Sequence, residues 1–165
     1  MLKTVKIALV ATVAAWGLVG ALGNFVDWDG TRGAVAAATS MATWEGGASS
    51  WKATSNPFVV LAGAVMIPAL KLTSAVLCLL GGWAMWRTRD RGYEFEAAKR
   101  LALAGCGVAM FLLFAGWIVI AESWFEMWRS EAMRGPVLDS AFRYLGCIAL
   151  IALFVGLRDD RRSRS

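Results

Sequence analysis

Apolar residues form four long runs along the chain, separated by segments rich in charge, glycine or tryptophan. The runs cover approximately residues 5–22, 58–86, 101–121 and 141–157. A hydrocarbon core about 30 Å thick needs roughly 17–25 helical residues to cross it. Strands with open edges cannot cross lipid because their backbone groups would be unpaired, so each run is expected to be a helix. The pattern predicts an all-α integral membrane protein, a four-helix bundle forming one domain over residues 1–157.

The first run also fits a second interpretation. Lys3 and Lys6 precede an apolar stretch that ends in small residues, which is the arrangement of a cleavable secretory signal. Cleavage would leave three spans, whereas retention gives four. The residues alone leave these two interpretations nearly balanced.

Composition agrees with a membrane environment and narrows the chemistry. The chain is 58% hydrophobic with a mean hydropathy of +0.56, whereas a soluble domain is nearer half apolar. The sequence has no histidine, so it lacks the commonest metal ligand and proton shuttle. Its three cysteines lie in apolar runs without a Cys-x-x-Cys spacing, which favours packing roles over a disulfide or zinc site. We therefore expect no enzymatic activity, no metal and no cofactor.

The distribution of charge predicts the orientation. Eleven of the 17 Lys and Arg residues lie near the N-terminus, between the second and third runs, or in the basic tail 158–165. The positive-inside rule then places both termini in the cytoplasm. The loops on the other side are net negative, so the overall charge of +5 reflects orientation and not nucleic-acid binding. The expected location is a bacterial inner (plasma) membrane, with the lipid bilayer as the main partner.

The predicted outer side has a long first loop, residues 24–56. Its Ala-rich stretch, 31–44, predicts a short surface helix, and Ser55-Asn56-Pro57 is a helix-start signal. Pro68, inside the second run, is expected to kink that helix.

A second outer segment follows the third run and alternates charge with aromatic rings. Its charged members are Glu122, Glu126 and Arg129, and its aromatic members are Trp124, Phe125 and Trp128. If the helix continues, the charges share one face and the indoles lie at headgroup depth, as in an interfacial aromatic belt. We predict an interfacial extension of this helix to about Ser130 and a break near Gly135–Pro136. A polar pocket beneath the outer surface is the alternative.

Two cations fall inside the apolar runs. Lys71 lies about thirteen residues into the second run, where a lysine costs roughly 2.5–3.5 kcal/mol and should face the other helices. A structural link and a functional role are equally supported. The partners expected for Lys71 are Thr12, Thr73, Ser74, a carbonyl freed by Pro68, or an outer carboxylate.

Arg143, near the start of the fourth run, is expected to reach the interface. The partners expected for Arg143 are Glu122, Glu126 and Asp139.

The segment E-S-W-F-E-M-W-R-S-E-A-M-R-G, followed by A-F-R at residues 141–143, resembles a bacterial family of predicted small integral membrane proteins, domain of unknown function 2165. N-F-V-D-W at residues 24–28 and W-K-A-T at residues 51–54 also fit, so the resemblance covers nearly the whole chain. It implies four helices and an uncleaved first helix. Positions that depart from the family pattern include Ala37, Ala42, Lys71, Arg129, Met133 and Arg134. The family has no established activity.

Two functions fit these observations. The first is an accessory or scaffolding membrane protein that meets a partner membrane subunit, a second copy of itself, or lipid through its outer aromatic and acidic surface. The second is a small transporter or channel in which Lys71 and the outer glutamates line a pathway. The sequence shows a single deeply buried charge and no internal repeat, which favours the first.

Overall fold

The computed structural model describes residues Met1–Asp159, and this part of the chain is helical with short connections. The last six residues, with most of the predicted basic tail, lie outside the described residues. The helices are α1 (Leu2–Val26), α2 (Trp28–Ser40), α3 (Pro57–Arg87), α4 (Gly92–Trp124) and α5 (Glu131–Gly156). All except α2 are long and apolar enough to cross a membrane. The predicted all-α architecture with four spanning helices is therefore confirmed.

The first outer loop is mostly helical. α1 continues through Asn24 to Val26, and α2 follows after one residue, so the predicted surface helix exists and begins slightly earlier than expected. Asp27 separates the two helices, and its carboxylate accepts a hydrogen bond from the Gly30 amide at 3.0 Å. The predicted start of the second span is also present, since the Asn56 side chain accepts from the Phe58 amide at 2.9 Å.

Glycines allow α3 to pack closely against α1 and α4. A Cβ at Gly105 of α4 would lie 2.8 Å from the backbone nitrogen of Cys78 in α3. A Cβ at Gly17 of α1 would lie 2.7 Å from the carbonyl oxygen of Lys71. The Ser74 hydroxyl donates to the Gly105 carbonyl at 2.8 Å, which fixes the α3–α4 contact. Small residues therefore set the distances between the helices, as is common in membranes.

The bundle has two ends, which we name by the segments that lie there. The terminal face carries Met1, the α3–α4 connection and Asp159. The loop face carries α2 and a cap, defined here as residues 41–56 and 125–130. Because α1 and α4 run from the terminal face to the loop face and α3 and α5 run back, the chain crosses the bundle four times.

The predicted extension of the third span to Ser130 is wrong. α4 ends at Trp124, and Glu126 has a left-handed backbone (φ 51°) that turns the chain away from the helix axis. After this turn, Phe125, Met127 and Ser130 are buried within the cap. A continuing helix would have left this apolar surface uncovered.

The predicted break at Gly135–Pro136 is also wrong, because both residues lie inside α5. The chain winds as a π-helix over Arg134–Asp139 and returns to an α-helix at Ser140. A proline lacks an amide donor and collides with the carbonyl one turn earlier in a regular α-helix. The wider π turn accommodates Pro136, so the helix continues through it.

Candidate functional site

The cap contains an ion pair network centred on Glu126. Lys52, from the first loop, donates to Glu126 Oε1 at 2.9 Å, and Arg129 lies 3.2 Å from Glu126 Oε2. The left-handed turn at Glu126 directs its carboxylate toward the other half of the cap. Hydrogen bonds from Lys52 and then Arg129 lower the pKa of the Glu126 carboxyl below its usual range.

Aromatic rings surround this network. The Arg129 guanidinium lies 3.9 Å from the Trp44 ring centre, and the Trp51 and Trp124 rings meet edge to face at 5.6 Å. These contacts orient the rings of the first half of the cap against Arg129 and against the end of α4. Trp51 and Trp128 nevertheless remain 80% and 54% exposed. The Trp128 ring centre lies 5.9 Å from the Arg129 guanidinium, so both exposed indoles of the loop face contact a neighbouring side chain.

The sequence-predicted members of this segment do not share one helical face. Trp124 ends α4, Phe125 is buried, and Trp128 lies on a short 3₁₀ turn. Glu122 is half-buried on α4 and takes part in none of the ion pairs formed by the described residues. This segment was identified correctly from the sequence. Of its charged residues Glu122, Glu126 and Arg129, only Glu126 and Arg129 form an ion pair with each other.

Lys71 faces another helix, as its burial cost requires. Its amine donates to the Asn24 side-chain oxygen at 2.7 Å and lies 3.4 Å from the Gly20 carbonyl, both on α1. The partners expected from sequence were wrong, because Asn24 was assigned to a loop and not to a membrane helix. Side chains on a helix lean toward its N-terminus, and the N-terminus of α3 is at the loop face. The amine therefore lies closer to the loop face than the Lys71 backbone does.

A cavity of about 380 Å³ lies beside the Lys71 amine. Its walls come from α1, α3, α4 and α5, and they include Trp16, Trp117 and Tyr144. The Trp16 and Tyr144 rings are 6.0 Å apart and tilted, so they form a continuous aromatic wall. Neither Glu122 nor Glu126 is among the residues that line this cavity.

Arg143 differs from its sequence-based prediction. Its guanidinium donates to the Ser140 hydroxyl at 3.1 Å, and its side chain is exposed. No ion pair to Glu122, Glu126 or Asp139 is present among the described residues, so the predicted salt bridge is wrong. Ser140 also lines the cavity beside Lys71, so Arg143 is bonded to a residue of the cavity wall, although Arg143 is not itself a lining residue.

The terminal face has a buried ionic cluster that the sequence analysis missed. Asp159 lies 3.0 Å from the Lys6 amine and 2.7 Å from the Lys99 amine, and Lys99 also pairs with Glu96 at 2.7 Å. The Lys6 side chain is fully buried although its position suggested a cytoplasmic charge. One signal was available: Lys6 falls at the start of an apolar run, where a lysine needs a partner.

Asp159 is held as a carboxylate in this cluster. Burial alone would raise its pKa, but hydrogen bonds from Lys99 and Lys6 outweigh that effect, and the pKa of Asp159 is lowered below its usual range. The cluster joins α1, α4 and the segment after α5. It therefore closes the terminal end of the bundle.

Comparison with known proteins gave one match. The model of a family described as "Predicted small integral membrane protein (DUF2165)" matches residues 2–158. Neither the curated proteins nor the solved structures gave a match.

Proposed function

Because the chain belongs to this family of predicted small integral membrane proteins, we propose that it is an accessory or scaffolding component of the membrane. In this proposal it has no catalytic activity of its own, and its loop face contacts a partner membrane protein. The terminal face is cytoplasmic, in accordance with the excess of Lys and Arg on the segments that lie there.

The observation that supports a partner is the construction of the cap. Trp51 and Trp128 are largely exposed, yet the neighbouring Lys52–Glu126–Arg129 network orders the cap around them. Exposed tryptophans that are already fixed lose little conformational entropy on binding, and Trp and Arg dominate the energy of many protein interfaces. An aromatic belt that only meets headgroups needs no such network between the two halves of a cap.

The absence of catalysis is supported by the residues that line the cavity. Lys71 lines the cavity, but no Asp or Glu is among the lining residues, and the whole sequence lacks histidine. An acid–base pair of the usual kind is therefore missing from the site with the most buried polar group.

The alternative of a transporter or channel needs a polar path between Lys71 and the loop-face glutamates. The cavity beside Lys71 is walled mainly by aromatic and aliphatic side chains, and Glu122 and Glu126 do not line it. This geometry favours the accessory role.

Affinity purification in a mild detergent, followed by mass spectrometry, tests the proposal. We expect a membrane protein to co-purify in stoichiometric amount with the wild type and to be lost with the double variant Trp51→Ser, Trp128→Ser. Trp83→Ser is the matched control, because Trp83 is 62% exposed but lies on α3 near the terminal face. Equal recovery of the same partner with all three proteins would contradict a role for the cap, and recovery of lipid alone would contradict the accessory proposal.

A further inference from the structure

The cavity beside Lys71 has positive charge that the protein does not neutralise. The Lys71 amine is bonded to an amide oxygen and near a backbone carbonyl, and Arg143 is bonded to the hydroxyl of Ser140, which lines the cavity. Among the described residues, neither cation forms an ion pair with a carboxylate. A lysine on a membrane-spanning helix without a carboxylate partner is costly, so an anion from outside the chain would be favoured beside Lys71.

The cavity is open to the lipid side of the bundle. Val19 of α1 and Tyr144 of α5 both line it, and their side chains are 70% and 45% exposed. A molecule can therefore enter from the bilayer between α1 and α5, without passing through the cap. The inner wall, including Trp16, Leu113 and Trp117, is apolar and suits a hydrocarbon chain.

The depth of the amine fits the head region of a lipid in the leaflet at the loop face. Lys6 marks the terminal face, and Asn24, which accepts from Lys71, lies eighteen residues further along α1. At 1.5 Å per residue this separation is roughly 27 Å, nearly the thickness of the hydrocarbon core. The amine is thus close to the boundary where lipid phosphates begin.

We propose that this cavity binds one anionic phospholipid, whose phosphodiester contacts Lys71 and Arg143 and whose acyl chain lies along the aromatic wall. A lysine ammonium has three donors, and Asn24 and Gly20 account for two acceptors. The third donor remains for the phosphate, and the guanidinium of Arg143, which is bonded to the cavity-lining Ser140, supplies further donors. The site is separate from the cap and does not depend on the proposed partner.

Native mass spectrometry tests the site. The protein is reconstituted in bilayers of equal phosphatidylcholine and phosphatidylglycerol and then released from them. For the wild type, we expect one bound phosphatidylglycerol with about tenfold preference over phosphatidylcholine. Both lipids carry the phosphodiester, but choline adds a cation that Lys71 and Arg143 repel, so the preference reports the net charge of the headgroup. Lys71→Gln should reduce the preference to about one, and Arg143→Gln should reduce it partly.

Two further variants keep the test decisive. Lys71→Arg retains the charge and should retain the preference for phosphatidylglycerol, even if Lys71→Gln proves poorly folded. Arg32→Gln removes an exposed loop-face cation that does not line the cavity, and it should leave the preference unchanged. Equal binding of both lipids by the wild type would overturn the proposal, and so would a preference that survives in Lys71→Gln or one that falls in Arg32→Gln.

Discussion

Lys71 has its backbone at mid-length of α3, but its amine is bonded to Asn24 at 2.7 Å, toward the loop face. Two geometric facts explain this position. Helical side chains lean toward the helix N-terminus, and α1 runs antiparallel to α3, so it brings its C-terminal residues to that level. Although Lys71 lies in the middle of an apolar run of the sequence, its amine therefore reaches Asn24 near the boundary of the membrane.

Substitutions at Lys71 and Asn24 should have unequal effects. Lys71→Met removes the buried charge together with its bond, so we expect the free energy of unfolding to stay within about 1 kcal/mol of the wild type. Asn24→Leu removes the side-chain acceptor of the ammonium and the 2.9 Å hydrogen bond from Asn24 to the Thr31 hydroxyl, so it should cost about 2 kcal/mol. The double variant should recover the part of that loss that comes from the unpaired ammonium, but not the part from the Asn24–Thr31 hydrogen bond. Thermal unfolding in detergent measures all three, and a harmless Asn24→Leu would argue against the pairing.

Glu126 gives the cap a dependence on pH. Its folded pKa is lowered by Lys52 and Arg129, so its contribution to stability is present above the unfolded pKa, about 4.3, and is lost as the pH falls through the folded pKa. Glu126→Gln should therefore lower the melting temperature at pH 7 and converge with the wild type in acid. Glu122→Gln is the control and should show no such convergence. A Glu126→Gln difference that persists unchanged at low pH would contradict the ion pairs.

At the scale of the elements, the sequence predicted the four spans because each apolar run must cover the hydrocarbon core. It did not predict the turn at Glu126 or the pairing of its carboxylate with Lys52, 74 residues away, because neither leaves a periodic pattern in the sequence. The passage of Pro136 through α5 was missed for a local reason, since a π turn has no signature in the pattern of apolar residues. The partner of Lys71 was missed because Asn24 was placed outside its helix.

The contact between α3 and α4 gives a prediction at the same scale. A methyl group at Gly105 would meet the backbone of Cys78 and Ser74 below 3.0 Å, whereas one at Gly107 would meet nothing within 4 Å. Gly105→Ala should therefore destabilise the protein by about 1–3 kcal/mol through overpacking. Gly107→Ala, in the same helix, should be neutral or slightly stabilising. Equal melting temperatures for the two variants would show that α3 and α4 are not packed this closely.

At the scale of the whole molecule, the two faces have different chemistry. The terminal face is closed by Lys6, Lys99 and Asp159, which join residues up to 153 positions apart. The loop face carries the exposed indoles and lies above the lipid-accessible cavity. The two halves of the cap follow α1 and α4. They lie on the opposite side of the membrane from the termini because each of the four long helices crosses it once.

Reporter fusions test this topology directly. A reporter active only in the cytoplasm should function after Arg91 and at the C-terminus, and it should be inactive when inserted near Gly47 in the cap. A reporter active only outside the cytoplasm should give the opposite pattern at the same three positions. External activity after Arg91 would place the α3–α4 connection on the wrong side and contradict the account of both faces.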